Sequence, residues 1–305
     1  MKKYNFEKTK RLGTFSFFAL MLSALCISSF AGARMSDSND ALIEIGGKTK
    51  VETKRPLPEE IKLVSYNMRW RGGDDLRDLI NLLKNDEVIG GAAVIGLQEV
   101  DRNKERTAKT NTARKMADEL GMNYVWAAPP PAAGKESDEE ETGVAILSPY
   151  RLSDVKRIVL PNEGPGGRRR VALGATVHIG AESLRVYSIH AETRTSNEKR
   201  TEQLKAVLDD LQSHHMQLKH FVVLGDFNTL APKDVDATSR LFTESGFHTP
   251  FTNDQATWRS FLIELKLDWL WLHGLEVKSY GIDKKVEMSD HWPLWTVVRM
   301  TVEKK

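Results

Sequence analysis

From Ile61 onward, short apolar runs rich in β-branched and aromatic residues alternate with amphipathic stretches. IKLVSYN (61–67), AAVIGLQE (92–99), TGVAILS (142–148), RVALGATVHI (170–179), LRVYSIH (184–190), HFVVLGD (220–226), LDWLWL (267–272) and PLWTVVRM (293–300) have strand length and composition. So many strands predict one large sheet or two packed sheets. Helical spacing predicts three helices. Residues 74–85 carry Leu76, Leu79, Ile80 and Leu83 on one face, residues 106–120 stop at Gly121, and residues 196–213 follow Thr195, three before Glu198 in a capping-box spacing. Helices interspersed among strands predict an α/β domain over 61–301, with helices covering sheet.

Two stretches lie outside this pattern. Residues 34–60 are polar, lack a sustained period and end with Pro56 and Pro58, a linker or lead-in. The insert APPPAAGKESDEEET (128–142) predicts a surface excursion. No internal repeat is present.

The N-terminus has the layout of an export signal. Lys2, Lys3, Lys8, Lys10 and Arg11 precede an apolar run over 12–30 that ends in Ala31, Gly32 and Ala33. Cleavage after Ala33 is expected, giving a periplasmic or secreted body; an uncleaved anchor is the alternative. Leu25 is a poor fit for the residue before a lipid-modified cysteine. The lone cysteine, Cys26, lies in this run, so the rest of the chain has neither disulfides nor thiol ligands. The leader carries five basic and one acidic side chain of a chain whose net charge is +2, so the remainder is −2. A nearly neutral body offers no general electrostatic case for nucleic acid.

Five strand-like runs meet polar groups suited to metal or phosphate chemistry. Asn67, Gln98 with Glu99, His190, and Asp226 with Asn228 end four of them, and Asp290 with His291 precede the last strand. In GDFN, Gly225 permits a tight strand exit, and Asp226 and Asn228, two apart, share one face of an extended segment. SDHWP places an acid beside an imidazole.

The ordered set SYNMRW, LQEVD, SIHAET, GDFN, the Asp opening LDWLWL, and SDHWP resembles the motifs of the endonuclease/exonuclease/phosphatase superfamily over 61–299. The resemblance implies a DNase I-like four-layered α/β sandwich: two mostly antiparallel sheets face to face, flanked by helices, with a metal site at one edge. It implies Mg²⁺ or Mn²⁺ held by Glu99, Asn67 and Asp290, oxygen donors that suit hard ions. It further implies His291, held by Asp268, as general base or phosphate-oxygen stabiliser, Asp226 activating or positioning water, and Asn228 and His190 on the phosphoryl oxygens. Among Arg168, Arg169 and Arg170, the last is the best placed substrate-phosphate contact.

The expected activity is hydrolysis of a phosphodiester or phosphomonoester by activated water, in a monomer with no obligate protein partner. Met68 and Arg69 stand where abasic-site endonucleases usually carry an acid, which argues against the DNA-repair branch. Small phosphoesters, extracellular nucleic acid and sphingomyelin-type head groups remain as substrates, the last weakened because no long exposed apolar hairpin is legible. A non-catalytic binding module is the rival from another class. Trp258, Trp269, Trp271, Trp292 and Trp295 read as core or near-core residues, with Trp292 or Trp70 as a substrate wall.

Overall fold

A computed structural model describes residues 39–47, 58–132 and 140–300. The export signal, most of the 34–60 lead-in and residues 133–139 of the acidic insert lie outside the described residues.

Two sheets form the body. The larger runs in the order β1 (Ile43–Gly47), β4 (Asn123–Ala127), β5 (Glu141–Ser148), β3 (Val94–Arg102), β2 (Ile61–Asn67), β14 (Leu294–Met300), β13 (Leu275–Ile282). The smaller runs β12 (Asp268–His273), β9 (His220–Asp226), β8 (Glu182–His190), β7 (Val171–Ile179), β6 (Arg151–Val159), and a separate hairpin pairs β10 (Trp258–Ser260) with β11 (Ile263–Leu265). Among the described residues, β2–β3 and β8–β9 are the parallel pairs.

Alternation along the strands builds the layers. In β2, Ile61 and Leu63 enter the core between the sheets, while Val64 and Tyr66 face α1 (Gly73–Asn85) and α2 (Thr112–Leu120). In β9, Val222 and Leu224 point inward and Phe221 and Val223 face the aromatic layer beneath α3 (Asn197–Gln212) and α4 (Pro232–Glu244). Both faces of these central strands are covered, which is why they read as continuous apolar runs. The sheets approach closely at Gly96, where a Cβ would lie 2.0 Å from Leu224 Cδ1. The result is the expected four-layered α/β sandwich.

Several local expectations are corrected. Strands β1, β4, β6 and β13, the β10–β11 hairpin and helix α4 were not legible. The 106–120 helix is split into a 3-10 turn, Glu105–Thr107, and α2, because Ala108 and Lys109 both adopt a left-handed φ of 53°. Helix α3 is capped by Ser196 rather than Thr195: the Lys199 N–H donates to Ser196 Oγ at 3.4 Å, since the donors of a first helical turn point at the residue just before it. Helix α4 begins on Pro232, with Asp234 accepting from the Ala231 N–H, both start signals that its sparse apolar period obscured.

Candidate active site

Strand register assembles the centre. Asp226, at the end of β9, is directly opposite Asp268 on β12 and His190 on β8. Gly225 makes that exit possible, with a φ of 134° and its Cα so close that a Cβ would lie 2.1 Å from the Ile189 carbonyl. Asn67, at the end of β2, and Glu99, at the bulge within β3, arrive from central strands of the other sheet, so the site is built between strands of both sheets, not along one row of adjacent strand ends.

Asp226 is the hub. Its Oδ2 accepts from Asn67 Nδ2 at 3.0 Å and lies 3.5 Å from His190 Nε2 and 3.9 Å from His291 Nε2; its Oδ1 accepts from the Asn228 N–H at 3.0 Å. Asn228, at a left-handed φ of 54°, also donates its Nδ2 to the Ala191 carbonyl, tying the GDFN turn to the residue after His190. His291 Nδ1 is 2.8 Å from Asp268 Oδ2. All four of these side chains, Asp226, Asp268, His190 and His291, are buried.

The electrostatics divide them. Burial pushes the Asp226 carboxyl upward, with repulsion from Asp268 and Glu99 adding to it and His291 opposing. Burial works against the His291 charge, but the charge and hydrogen bond of Asp268 win and hold the imidazole above its ordinary value. His190 goes the other way: burial first, then the charges of Arg170 and His291, keep it well below its ordinary value and neutral. Arg170 Nη1 lies 3.3 Å from His190 Nδ1, and a guanidinium can only donate, so Nδ1 accepts and the proton sits on Nε2, facing Asp226.

Arg170 is held in turn by Glu192, which also takes two hydrogen bonds from Arg168 and one from the Arg194 N–H. Glu192 was missed in the sequence, which marks it by no motif; in the fold it packs against Gly164, where a Cβ would lie 2.5 Å from the Glu192 carboxylate. Thr257 was missed too. It is fully buried, its Oγ1 accepts from the Leu267 and Asp268 N–H groups, and its carbonyl accepts from the Trp292 N–H, so it locks the His291 loop to β12. Gln98 does not line the centre; its Nε2 donates to Ser188 Oγ and stitches the two sheets.

Glu99 and the SYNMRW turn form the other wall. Arg69, Trp70 and Glu99 all have left-handed φ values, 47°, 45° and 56°, held by Trp70 N–H to Glu99 carbonyl and Arg69 N–H to Asn67 Oδ1 bonds. Left-handed backbone on bulky residues is strained and persists where surroundings over-determine it. Among the described residues the Glu99 carboxylate has no hydrogen-bond or ion-pair partner, and Asp290 pairs with Arg69 at 3.4 Å. Asp226, Asp268 and His291 offer ligand atoms within 4.8 Å of one another. Asp268 and His291 are already committed to each other, which marks a hydrogen-bonded relay rather than a metal cage. Trp269, Trp271 and Trp292 are buried; Trp258 and Trp295 are half-buried.

Two face-to-face sheets closing over carboxylates, imidazoles and amides at one edge define a phosphoesterase-type α/β sandwich. The chain belongs to the Endonuclease/Exonuclease/phosphatase family, whose sequence profile it matches over residues 64–291. Similar solved structures include an endonuclease/exonuclease/phosphatase from Beutenbergia cavernae DSM 12333, with TM-score 0.61, 18% identity, 80% of this chain and 72% of that one covered. The human nocturnin catalytic domain with bound sulfate anion gives 0.61, 19%, 80% and 94%. A Neisseria 3′ phosphatase bound to a product DNA hairpin gives 0.56, 17%, 77% and 98%. No curated protein sequence matches the chain.

Proposed function

We propose that this protein hydrolyses phosphoesters with an activated water at the Asp226 centre, using a divalent cation, Mg²⁺ or Mn²⁺. The observation that carries the reading is the convergence of Asn67, His190, Asp226, Asn228, Asp268 and His291 into one buried, hydrogen-bonded cluster from five separated segments. The layout of residues 1–33 supports an exported enzyme.

The donor set fits a hard cation. Glu99, with its uncommitted carboxylate, and Asp290 would hold it beside the Asn67 Oδ1, which keeps one lone pair after accepting from Arg69. When bound, the cation would polarise a phosphoryl oxygen and neutralise the mutual repulsion of the carboxylates. The remaining work falls to the chain's own groups. Asp226, pushed upward by burial, orients the water and takes its proton. His291, kept cationic by Asp268, donates to a phosphoryl oxygen. His190 presents its Nε2–H to a second oxygen under the hold of Arg170, and the Asn228 amide fixes Asp226 and the turn. Charge on the phosphoryl oxygens is thus met by preorganised donors.

The test is hydrolysis of bis-p-nitrophenyl phosphate, p-nitrophenyl phosphate, plasmid DNA and sphingomyelin with Mg²⁺, Mn²⁺ or EDTA. Metal-dependent turnover of one substrate, abolished in His291→Ala and in Asp226→Ala with the fold intact, is expected. Full activity in either variant sinks the mechanism, and silence on all four substrates favours the binding module.

A further inference from the structure

Among the described residues Lys266 is the one lysine that is buried, 4% exposed, and its Nζ has no hydrogen-bond acceptor. Lysine ordinarily carries its ammonium out to water along a flexible stem. An ammonium buried without an acceptor works against stability, so packing does not account for this one.

The fold fixes the chain on both sides of Lys266, in the link between β11 and β12. On one side the Thr257 N–H donates to the Leu265 carbonyl at 2.9 Å, and Thr257 Oγ1 accepts from the Leu267 and Asp268 N–H groups. On the other, the Phe227 N–H donates to the Leu267 carbonyl at 2.9 Å and Thr229 Oγ1 donates to the Lys266 carbonyl. The Nζ lies 4.4 Å from the ring centroid of Trp269 and 5.9 Å from that of Phe251. Trp269 is itself held, its Nε1 donating to Thr229 Oγ1 at 3.1 Å.

Asp268 stands two residues on, about 7 Å along an extended chain. Its Oδ2 bonds His291, while its Oδ1 is buried and has no donor. An unpaired cation and a half-satisfied anion thus share one buried environment, where charges act over several ångströms. Asp268 and then Asp254 are the carboxylates that attract Lys266, and Asp254 is exposed in the loop before β10, so Asp268 is the partner less screened by water. Burial outweighs both and brings the Lys266 amine down to about 8.

When His291 shares its Nε2 proton with a phosphoryl oxygen, positive charge leaves the imidazole and Asp268 loses part of its counter-charge. A fixed ammonium beside the carboxylate supplies that charge with no rearrangement.

We infer that Lys266 is a positioning residue for the Asp268–His291 pair, its buried ammonium stabilising the Asp268 carboxylate and so easing proton sharing from His291 to the substrate. The effect on turnover rests on the phosphoesterase reading above; the coupling of Lys266 to the pair does not.

The test compares the full chain with Lys266→Met, which keeps an unbranched stem and loses the charge, and Lys266→Arg, which keeps a cation that does not titrate. Lys266→Met should hold or raise Tm, because an apolar group replaces an unpaired buried ammonium. Its kcat on bis-p-nitrophenyl phosphate should nevertheless fall about tenfold or more, with KM within about threefold of the parent, and Lys266→Arg should recover most of that loss. In the parent, kcat should drop as pH rises through about 8, where Lys266 gives up its proton, and neither variant should show that step. The downfield proton resonance of His291 Nδ1–H should shift through the same pH in the parent and not in Lys266→Met, with neither metal nor substrate needed. The step of His291 itself lies higher, at about 9, and should remain in all three proteins. Unchanged kcat in Lys266→Met, a step near pH 8 that persists there, or a Tm lowered by more than about 5 °C, the mark of a structural role, would overturn the inference. Turnover by a parent without the resonance step defeats the coupling alone; the step in a parent silent on every phosphoester supports the coupling and defeats the phosphoesterase reading.

Discussion

Replacing Thr257 by valine isolates the device that locks the His291 loop. Valine keeps the shape and removes one oxygen, leaving the Leu267 and Asp268 N–H groups without the acceptor they now meet at 3.0 and 2.9 Å. Both groups are buried, so each orphaned donor costs about 1–3 kcal/mol. A total loss of about 2–6 kcal/mol is expected, and at about 2–4 °C per kcal/mol for a domain of this size Tm should fall by about 4–24 °C. Because Asp268 directs His291, turnover should also drop, by about 10² for a displacement near 1 Å. Urea unfolding followed by circular dichroism and hydrolysis of a soluble phosphodiester measure the two effects. Thr257→Ser keeps the oxygen and loses only a methyl group, so it should cost about 1 kcal/mol and retain turnover. A valine variant within about 0.5 kcal/mol of the parent, with unchanged turnover, would refute the reasoning.

Three further outcomes are expected. Asp268→Asn removes the charge that holds His291 cationic and should lower turnover by about 10²–10⁴ while leaving the unfolding transition in place; an unchanged rate would show that His291 works without it. Gly96→Val drives side-chain atoms into Leu224 between the sheets and should destabilise by about 2–4 kcal/mol, partly rescued by Leu224→Ala; no rescue in a double-mutant cycle would place the strain elsewhere. At Glu192, burial raises the carboxyl but the hydrogen bonds of Arg168 and the Arg194 N–H, with the charge of Arg170, prevail and hold it below its ordinary value. Its contribution is therefore present at neutral pH and lost as pH falls below the usual glutamate value of about 4.3, a loss that Glu192→Gln should abolish in stability-versus-pH curves. The same variant should raise KM more than it lowers kcat, because Glu192 positions Arg170.

The sequence by itself determined the layers and most of the chemistry. Strands covered on both faces must be continuously apolar, so 220–226 and 171–179 announced themselves, and the polar residues at their ends stood out against that background. The edge and outer strands did not: β6, with its exposed and half-exposed alternation, and β13, largely exposed, have no apolar signature for a short-range pattern to detect. The tertiary structure alone decided the rest. Asp226 and Asp268 are 42 residues apart and meet only through an antiparallel register between β9 and β12. Glu192 and Thr257 carry no motif; each matters through what it accepts from distant backbone and guanidinium donors. The exposed tip of the hairpin was equally hidden, because nothing in WRSFLIEL marks a turn, and only the fold leaves Phe261, Leu262 and Ile263 exposed at its end. Periodicity reports which residues are buried, whereas partnership across the chain is set by strand register, which only the closed sheets specify.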